Sequence, residues 1–125
     1  MTLVLDAGAL IVIERGDRET ATLIEVARRE QRAVLVPAGV VGQAWRGGRA
    51  RQARLGRLLN ARDVLVEPLS DRGARAAGVL CSTAGTADVI DATVVLTARR
   101  HDATVISSDR ADLEALDPTI RVVDC

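Results

Sequence analysis

The chain has 125 residues, of which 48% are hydrophobic, so it should fold as one domain, residues 1–125, with a core that needs no disulfide or metal. All 17 basic residues are arginine, and 17 acidic residues balance them, so overall charge indicates no class of partner. The absence of lysine excludes phospho-receiver and haloacid-dehalogenase-type chemistry, because both need a lysine beside the phosphorylated aspartate.

Short apolar runs alternate with helical patterns along the whole chain. The predicted strands are Leu3–Leu5, Val34–Val36, Val64–Val66, Thr104–Ile106 and Ile120–Val123. The predicted helices are Ala9–Arg15, Glu19–Arg29, Val40–Arg46, Arg49–Leu59, Asp71–Ser82, Val89–Arg100 and Asp112–Leu116. Because parallel strands need a covering crossover, this alternation predicts an α/β fold in three α/β/α layers, with a parallel sheet of four to five strands.

Three aspartates stand where apolar runs give way to helix-like sequence. Asp6 follows LVL, Asp91 lies inside VIDATVVL, and Asp109 follows VISS. Taken singly, Asp6 and Asp109 also fit the capping of a helix start. Ligands of parallel sheets gather at the carboxyl ends of the strands, and a buried carboxylate needs a compensating partner. Together the three aspartates therefore predict a hard-metal site.

Asp91 is the strongest of the three, because the helix around it is apolar on nearly every face. Asp88 lies one turn earlier on the same side, and a divalent cation would relieve the repulsion between the two carboxylates. Asp88 fits equally well as an acid favoured at a helix N-terminus. Oxygen ligands alone indicate Mg²⁺ or Mn²⁺ rather than zinc. The sole histidine, His101, is expected at a solvated helix end.

The cysteines and the distribution of arginine give weaker indications. Cys81 and Cys125 have no metal-ligand spacing and form no evident disulfide framework, which favours a reducing compartment. With no basic leader and no long apolar stretch, we expect a cytoplasmic protein without a membrane segment. Six arginines and no acid lie between Arg46 and Arg62, which fits either an anionic ligand or a solvated helix face.

Four segments together resemble PIN-domain ribonucleases, and in particular VapC-like toxins of type II toxin–antitoxin pairs. They are LVLDAGAL, VPAGVVGQAWRGG, VIDATVVLTA and VISSDRADL, and the resemblance spans essentially the whole chain. It implies that Asp6, Asp91 and Asp109 are catalytic metal ligands, with Asp112 as an accessory acid. The family's second acidic position, normally glutamate, falls on Gln43, which carries no charge. Our hypothesis is that Asp88 partly restores that charge.

The resemblance also implies an activity and partners. The activity is metal-dependent hydrolysis of RNA phosphodiester bonds, with Mg²⁺ or Mn²⁺ as cofactor and with Gln43 or Asp88 orienting a ligand water. Arg46 and Arg49 would bind the substrate. The partners would be a second copy in a homodimer and a small antitoxin, for which the surface of Glu19–Arg29 and Arg49–Leu59 is a candidate. The alternative is a PIN-like module that binds RNA or protein without cleaving, with Gln43 marking the loss.

Overall fold

A five-stranded parallel sheet forms the centre of the molecule. The computed structural model describes residues 1–47 and 50–125. Its strands are β1 (Leu3–Leu5), β2 (Val34–Pro37), β3 (Val64–Glu67), β4 (Thr104–Ser107) and β5 (Arg121–Asp124). Their order is β3-β2-β1-β4-β5, and every neighbouring pair is parallel. β1, β2 and β4 are buried along their whole length, as their unbroken apolar runs predict, and the edge strands are partly exposed.

Helices connect these strands, as a parallel sheet requires. In the described part of the chain they are α1 (Ala7–Glu14), α2 (Arg18–Arg29), α3 (Ala38–Ala44), α4 (Ala53–Leu59), α5 (Asp71–Ala84), α6 (Val89–His101) and α7 (Arg110–Leu116). A single 3₁₀ turn, Ala50–Gln52, precedes α4. The predicted three-layer α/β/α fold is confirmed. The predicted fourth helix was too long at its start, since α-helical geometry begins at Ala53.

Short polar side chains fix where several helices begin. The carboxylate of Asp17 accepts a hydrogen bond from the Thr20 backbone N–H at 2.8 Å and starts α2. Ser70 starts α5 in the same way, through the Gly73 N–H at 3.0 Å. These caps satisfy donors that lack a partner within the helix. α5 ends at Gly85, whose φ of 74° is the left-handed conformation that glycine adopts at low cost.

The core is aliphatic and lies between the central strands and the helices on either face. Its fully buried members include Leu5, Leu10, Val94, Ile106 and Leu113. α6 buries six of its residues, and this explains its nearly uniform apolar sequence. Among the described residues no single helix is long and apolar enough to cross a membrane, and α5 with α6 reaches that length only as a pair bent by 107°.

Candidate functional site

The carboxyl ends of β1 and β4 bring the acidic residues to one edge of the sheet. Leu5 pairs with Ile106, and the Asp6 backbone N–H donates to the Ile106 carbonyl at 3.3 Å. Asp6 and the end of β4 are therefore direct neighbours. Asp109 follows β4 by two residues and begins α7, and Asp91 lies in the first turn of α6. The sheet thus places three aspartates at the edge where ligands of parallel sheets bind.

Asp6 is the most buried of these acids, at 3% exposure. One carboxylate oxygen, Oδ1, accepts from the Ala9 backbone N–H at 3.0 Å, so Asp6 is also the N-cap of α1. The other oxygen, Oδ2, accepts a hydrogen bond from the Ser107 hydroxyl. Burial raises the pKa of Asp6 and the charge of Asp109 adds to the rise, while the hydrogen bonds from Ser107 and Ala9 oppose it.

Ser107 joins two of the aspartates, and our sequence reasoning missed this role. Its hydroxyl donates to Asp6 and accepts from the Asp109 backbone N–H at 2.8 Å. Ser107 is fully buried at the end of β4. In sequence the SS pair resembles an ordinary polar turn. One feature of the sequence could have indicated this role. Ser107 is a hydroxyl residue at the end of an apolar run expected to be a buried strand, and a buried polar group needs hydrogen-bond partners.

Asp91 is half-buried, and its carboxylate lies within electrostatic range of four others. The pKa of Asp91 is raised to about 7. Burial is the largest cause, and the negative charges of Asp88, Asp112, Asp6 and Asp109 supply the rest of the rise. These negative charges repel one another, so the carboxylate of Asp91 holds its proton more tightly than a free aspartate does. Such a raised pKa at one site is typical of functional carboxylate clusters as well as of crowded structural ones.

Asp88 caps α6, as one of its two interpretations predicts, and its charge also lies near Asp91. Its Oδ1 accepts from the Asp91 backbone N–H at 2.9 Å and caps α6. Its charge is also the largest electrostatic contribution to the raised pKa of Asp91 after burial. The cap therefore holds a carboxylate within range of Asp91, and the two interpretations do not exclude each other.

The donor set fits a hard divalent cation. All five acids offer carboxylate oxygens, which Mg²⁺ and Mn²⁺ prefer, and their repulsion would be relieved by a positive ion. Within residues 1–47 and 50–125, no three acidic, histidine or cysteine side chains are arranged to hold an ion as they stand. Binding an ion would therefore draw Asp6, Asp91 and Asp109 closer together.

The cysteines lie beside this arrangement, whereas the histidine lies at the far end of α6. Both cysteines are free. The pKa of the Cys125 thiol is raised to about 11, mainly by burial and also by nearby negative charges, of which that of Asp6 is the largest. The thiol is therefore neutral at physiological pH and unsuited to metal binding or nucleophilic chemistry. His101 lies at the end of α6, where its Nε2 is 3.6 Å from Oε1 of Glu67.

Two of the predicted site residues, Gln43 and Arg46, lie at the carboxyl end of α3. Gln43 is exposed in the last turn of α3. The Arg46 guanidinium folds back and donates to the carbonyl oxygens of Gly42, Gln43 and Trp45, at 3.2, 2.9 and 2.8 Å. Arg46 therefore closes the carboxyl end of α3, where unpaired carbonyls favour a cation. The predicted substrate contact of Arg49 lies outside the described residues.

The fold and this edge define a class: three-layer α/β/α domains with an acidic site at the carboxyl ends of a parallel sheet. The family model described as "PIN domain" matches residues 3–117, and the chain belongs to that family. The family resemblance drawn from the sequence is thereby confirmed. No curated protein matches the chain in sequence.

Solved structures share this fold at low sequence identity. VapBC2 from Rickettsia felis, bound to a DNA fragment from its promoter, matches with a TM-score of 0.73 and 12% identity, covering 100% of this chain and 99% of that one. Mycobacterium tuberculosis VapC20, described as a Sarcin-Ricin loop cleaving toxin, gives 0.66 and 16%, covering 89% and 94%. FitAcB from Neisseria gonorrhoeae gives 0.63 and 18%, covering 97% and 96%.

Proposed function

We propose that this PIN domain is a metal-dependent endoribonuclease and the toxin of a toxin–antitoxin pair. The observation that carries the proposal is the meeting of Asp6, Asp91 and Asp109 at one sheet edge, with the pKa of Asp91 raised to about 7. The fold shared with VapC20, a toxin described as cleaving the Sarcin-Ricin loop, supports RNA as the substrate. The family membership supports a nuclease active site at this edge.

In this proposal Asp6, Asp91 and Asp109 hold Mg²⁺ or Mn²⁺. When bound, the ion supplies an activated water and stabilises charge on the phosphoryl oxygens. The protein's own contribution is to fix its ligands. Ser107 fixes the position of the Asp6 side chain and of the Asp109 backbone through its two hydrogen bonds. Asp88 adds negative charge beside Asp91. A ligand water would be oriented by Gln43, through its amide, or by Asp88.

Recognition of RNA in this proposal depends on charge rather than stacking. Trp45 is the only aromatic residue, so the chain offers no platform on which successive bases could stack. Exposed arginines at positions 51, 54 and 57 of the segment around α4 supply positive charge. Arg46 remains a proposed phosphate contact, and in that contact phosphate would compete with the hydrogen bonds by which its guanidinium closes α3.

A groove between α2 and α4 fits the antitoxin. Its volume is about 590 Å³, its apolar floor includes Ile13, Ile24 and Leu58, and four arginines and two acids line it. This composition suits an amphipathic segment with an acidic face. The related structures FitAB and VapBC2, each determined with bound DNA, support a partner protein of this kind. We further propose that the protein acts as a homodimer in the cytoplasm.

The alternative is a PIN-like module that binds RNA or a protein without cutting. Gln43 favours it, because a neutral amide stands where the resemblance predicts a glutamate. The open arrangement of the carboxylates also favours it, since no three within the described ranges hold an ion as they stand. The two functions differ in one respect that is easily measured, which is the appearance of metal-dependent RNA fragments.

Purified protein incubated with a structured RNA and an unstructured RNA tests both functions. Each RNA is incubated with Mg²⁺, with Mn²⁺ and with chelator, using wild type, Asp6→Ala and the control Asp71→Ala, which changes an exposed acid of α5 paired with Arg75. Fragments from wild type and Asp71→Ala, absent with chelator and with Asp6→Ala, support the nuclease. RNA binding without fragments under every condition supports the alternative.

A further inference from the structure

The first turn of α1 touches the segment after β4 at one buried glycine. A Cβ built on Gly8 would lie 2.0 Å from Oγ of Ser108, 2.9 Å from its Cβ and 3.1 Å from its backbone nitrogen. Real side chains do not approach one another so closely. The Ser108 side chain therefore occupies the space that any residue larger than glycine would need at position 8.

Backbone conformation does not explain this glycine. Gly8 lies inside α1 and does not have the positive φ angle for which glycine is often needed. Alanine is the better helix former at such a position. Glycine there is explained instead by the close approach of another segment, one of the uses for which proteins keep it.

The contact joins two segments that carry acids of the site. Gly8 is two residues after Asp6, and Ser108 directly precedes Asp109. The Ser107 hydroxyl links the same two segments by hydrogen bonds to Asp6 and to the Asp109 backbone. Hydrogen bonds pull the segments together, and the packing of Gly8 on Ser108 limits how close they come.

We propose that Gly8 and Ser108 form a spacer that sets the separation of Asp6 and Asp109 and thereby the size of cation the site prefers. The inference rests on the metal site of the proposed function. Mg²⁺ requires oxygens at about 2.0–2.1 Å in near-octahedral order, whereas Ca²⁺ accepts about 2.3–2.6 Å and irregular order. Glycine at position 8 allows the closer spacing, and a side chain there forces the segments apart and favours the larger ion.

A graded series of variants isolates this contact. Gly8→Ala meets both Oγ and Cβ of Ser108, and we expect Mg²⁺ affinity to fall about tenfold while Ca²⁺ affinity falls less. Adding Ser108→Ala removes only Oγ, so recovery should be partial. Adding Ser108→Gly removes both atoms, so recovery should be nearly complete. Gly78→Ala, on the exposed face of α5 with nothing within 4 Å, is the control and should leave both affinities unchanged.

Affinities are measured by calorimetry with Mg²⁺ and Ca²⁺, on variants whose folding is verified by circular dichroism. Wild type that binds neither ion would remove the proposed metal site itself. Wild type that binds, with a folded Gly8→Ala variant of unchanged Mg²⁺ to Ca²⁺ preference, would overturn the spacer alone. Should Gly8→Ala fail to fold, Ser108→Gly decides: without the spacer atoms the two segments can come closer, so the preference for Mg²⁺ over the larger Ca²⁺ should rise several-fold, and an unchanged preference refutes the inference.

Discussion

At the scale of single residues, the buried hydroxyl of Ser107 matters because it is hydrogen-bonded to two acidic residues of the site. It donates to Asp6 and accepts from the Asp109 backbone N–H at 2.8 Å, and Ser107 itself is fully buried. Removing it leaves the buried carboxylate of Asp6 and the partly buried N–H of Asp109 without this partner. Unmade hydrogen bonds of this kind are the expensive ones in proteins.

Ser107→Ala should therefore lower the free energy of unfolding by about 1–3 kcal/mol. Urea denaturation without added metal measures this, and Ser82→Ala, at an exposed position of α5, is the matched control, expected to change little. The loss should be smaller in an Asp6→Asn background, because the partner of the hydroxyl has already been altered. An equal loss in both backgrounds would show that the Ser107–Asp6 hydrogen bond is not the cause.

Asp91 makes the metal-free protein sensitive to pH. Its pKa is about 7 when folded and near 3.8 when unfolded, so between these values the folded state holds more protons. Stability must then fall as pH rises through this window, and the penalty is absent below about pH 4. The carboxylate is half-exposed, so solvent reduces the penalty well below what the shift in pKa alone would give.

Asp91→Asn removes that penalty because its amide cannot ionise. In chelator we expect the variant to be more stable than wild type by about 1 kcal/mol at pH 8 and equal to it at pH 4. Thermal unfolding at a series of pH values gives the difference. A variant less stable than wild type at pH 8 would mean that Asp91 is compensated by a partner within the protein.

At the scale of elements, α6 combines a structural and a chemical role in its first turn. Asp88 caps the helix through the Asp91 backbone N–H at 2.9 Å and also places its charge near the Asp91 side chain. Asparagine caps as well as aspartate does but carries no charge. A pair of substitutions can therefore separate the two roles.

Asp88→Asn should leave stability within about 0.5 kcal/mol of wild type, whereas Asp88→Ala should lose about 1 kcal/mol with the cap. Both should weaken Mg²⁺ binding, because each removes a charge from the cluster. Denaturation and calorimetry on the two variants provide the measurements. If Mg²⁺ affinity is unchanged in Asp88→Asn, the carboxylate serves only as a cap and does not replace the charge missing at Gln43.

The helices and strands were the most predictable part of this chain. Each strand contains a β-branched or apolar run, and each helix in the described ranges has a pattern or a capping residue visible in sequence, such as Ser70 before α5 and Gly85 after it. The start of α4 was misplaced because the arginine-rich sequence before Ala53 has no cap, and one turn there is a 3₁₀ helix. Local sequence patterns show whether a segment is a helix or a strand more firmly than they show where it begins and ends.

At the scale of the whole molecule, the parallel sheet explains why the aspartates could be anticipated and their supports could not. Sequence places Asp6 and Asp109 after apolar strands and Asp91 at the start of an apolar helix, and the topology brings these three positions together. The pairing of Leu5 with Ile106 depends on register, and only register shows that Ser107 faces Asp6 and that Ser108 fills the space beside Gly8. The folding of Arg46 onto α3 is likewise a choice of side-chain conformation that no spacing reveals.

The proposed function requires that Asp6, Asp91 and Asp109 together bind a divalent cation. Calorimetric titration of the protein with Mn²⁺ at pH 7, in two buffers of different ionisation enthalpy, tests it most directly. We predict saturable binding. Because the pKa of Asp91 is about 7, binding should release roughly half a proton, and both the binding and the release should be lost in Asp91→Asn. Absence of binding by wild type, or binding that survives Asp6→Ala and Asp91→Asn unchanged, would contradict the account.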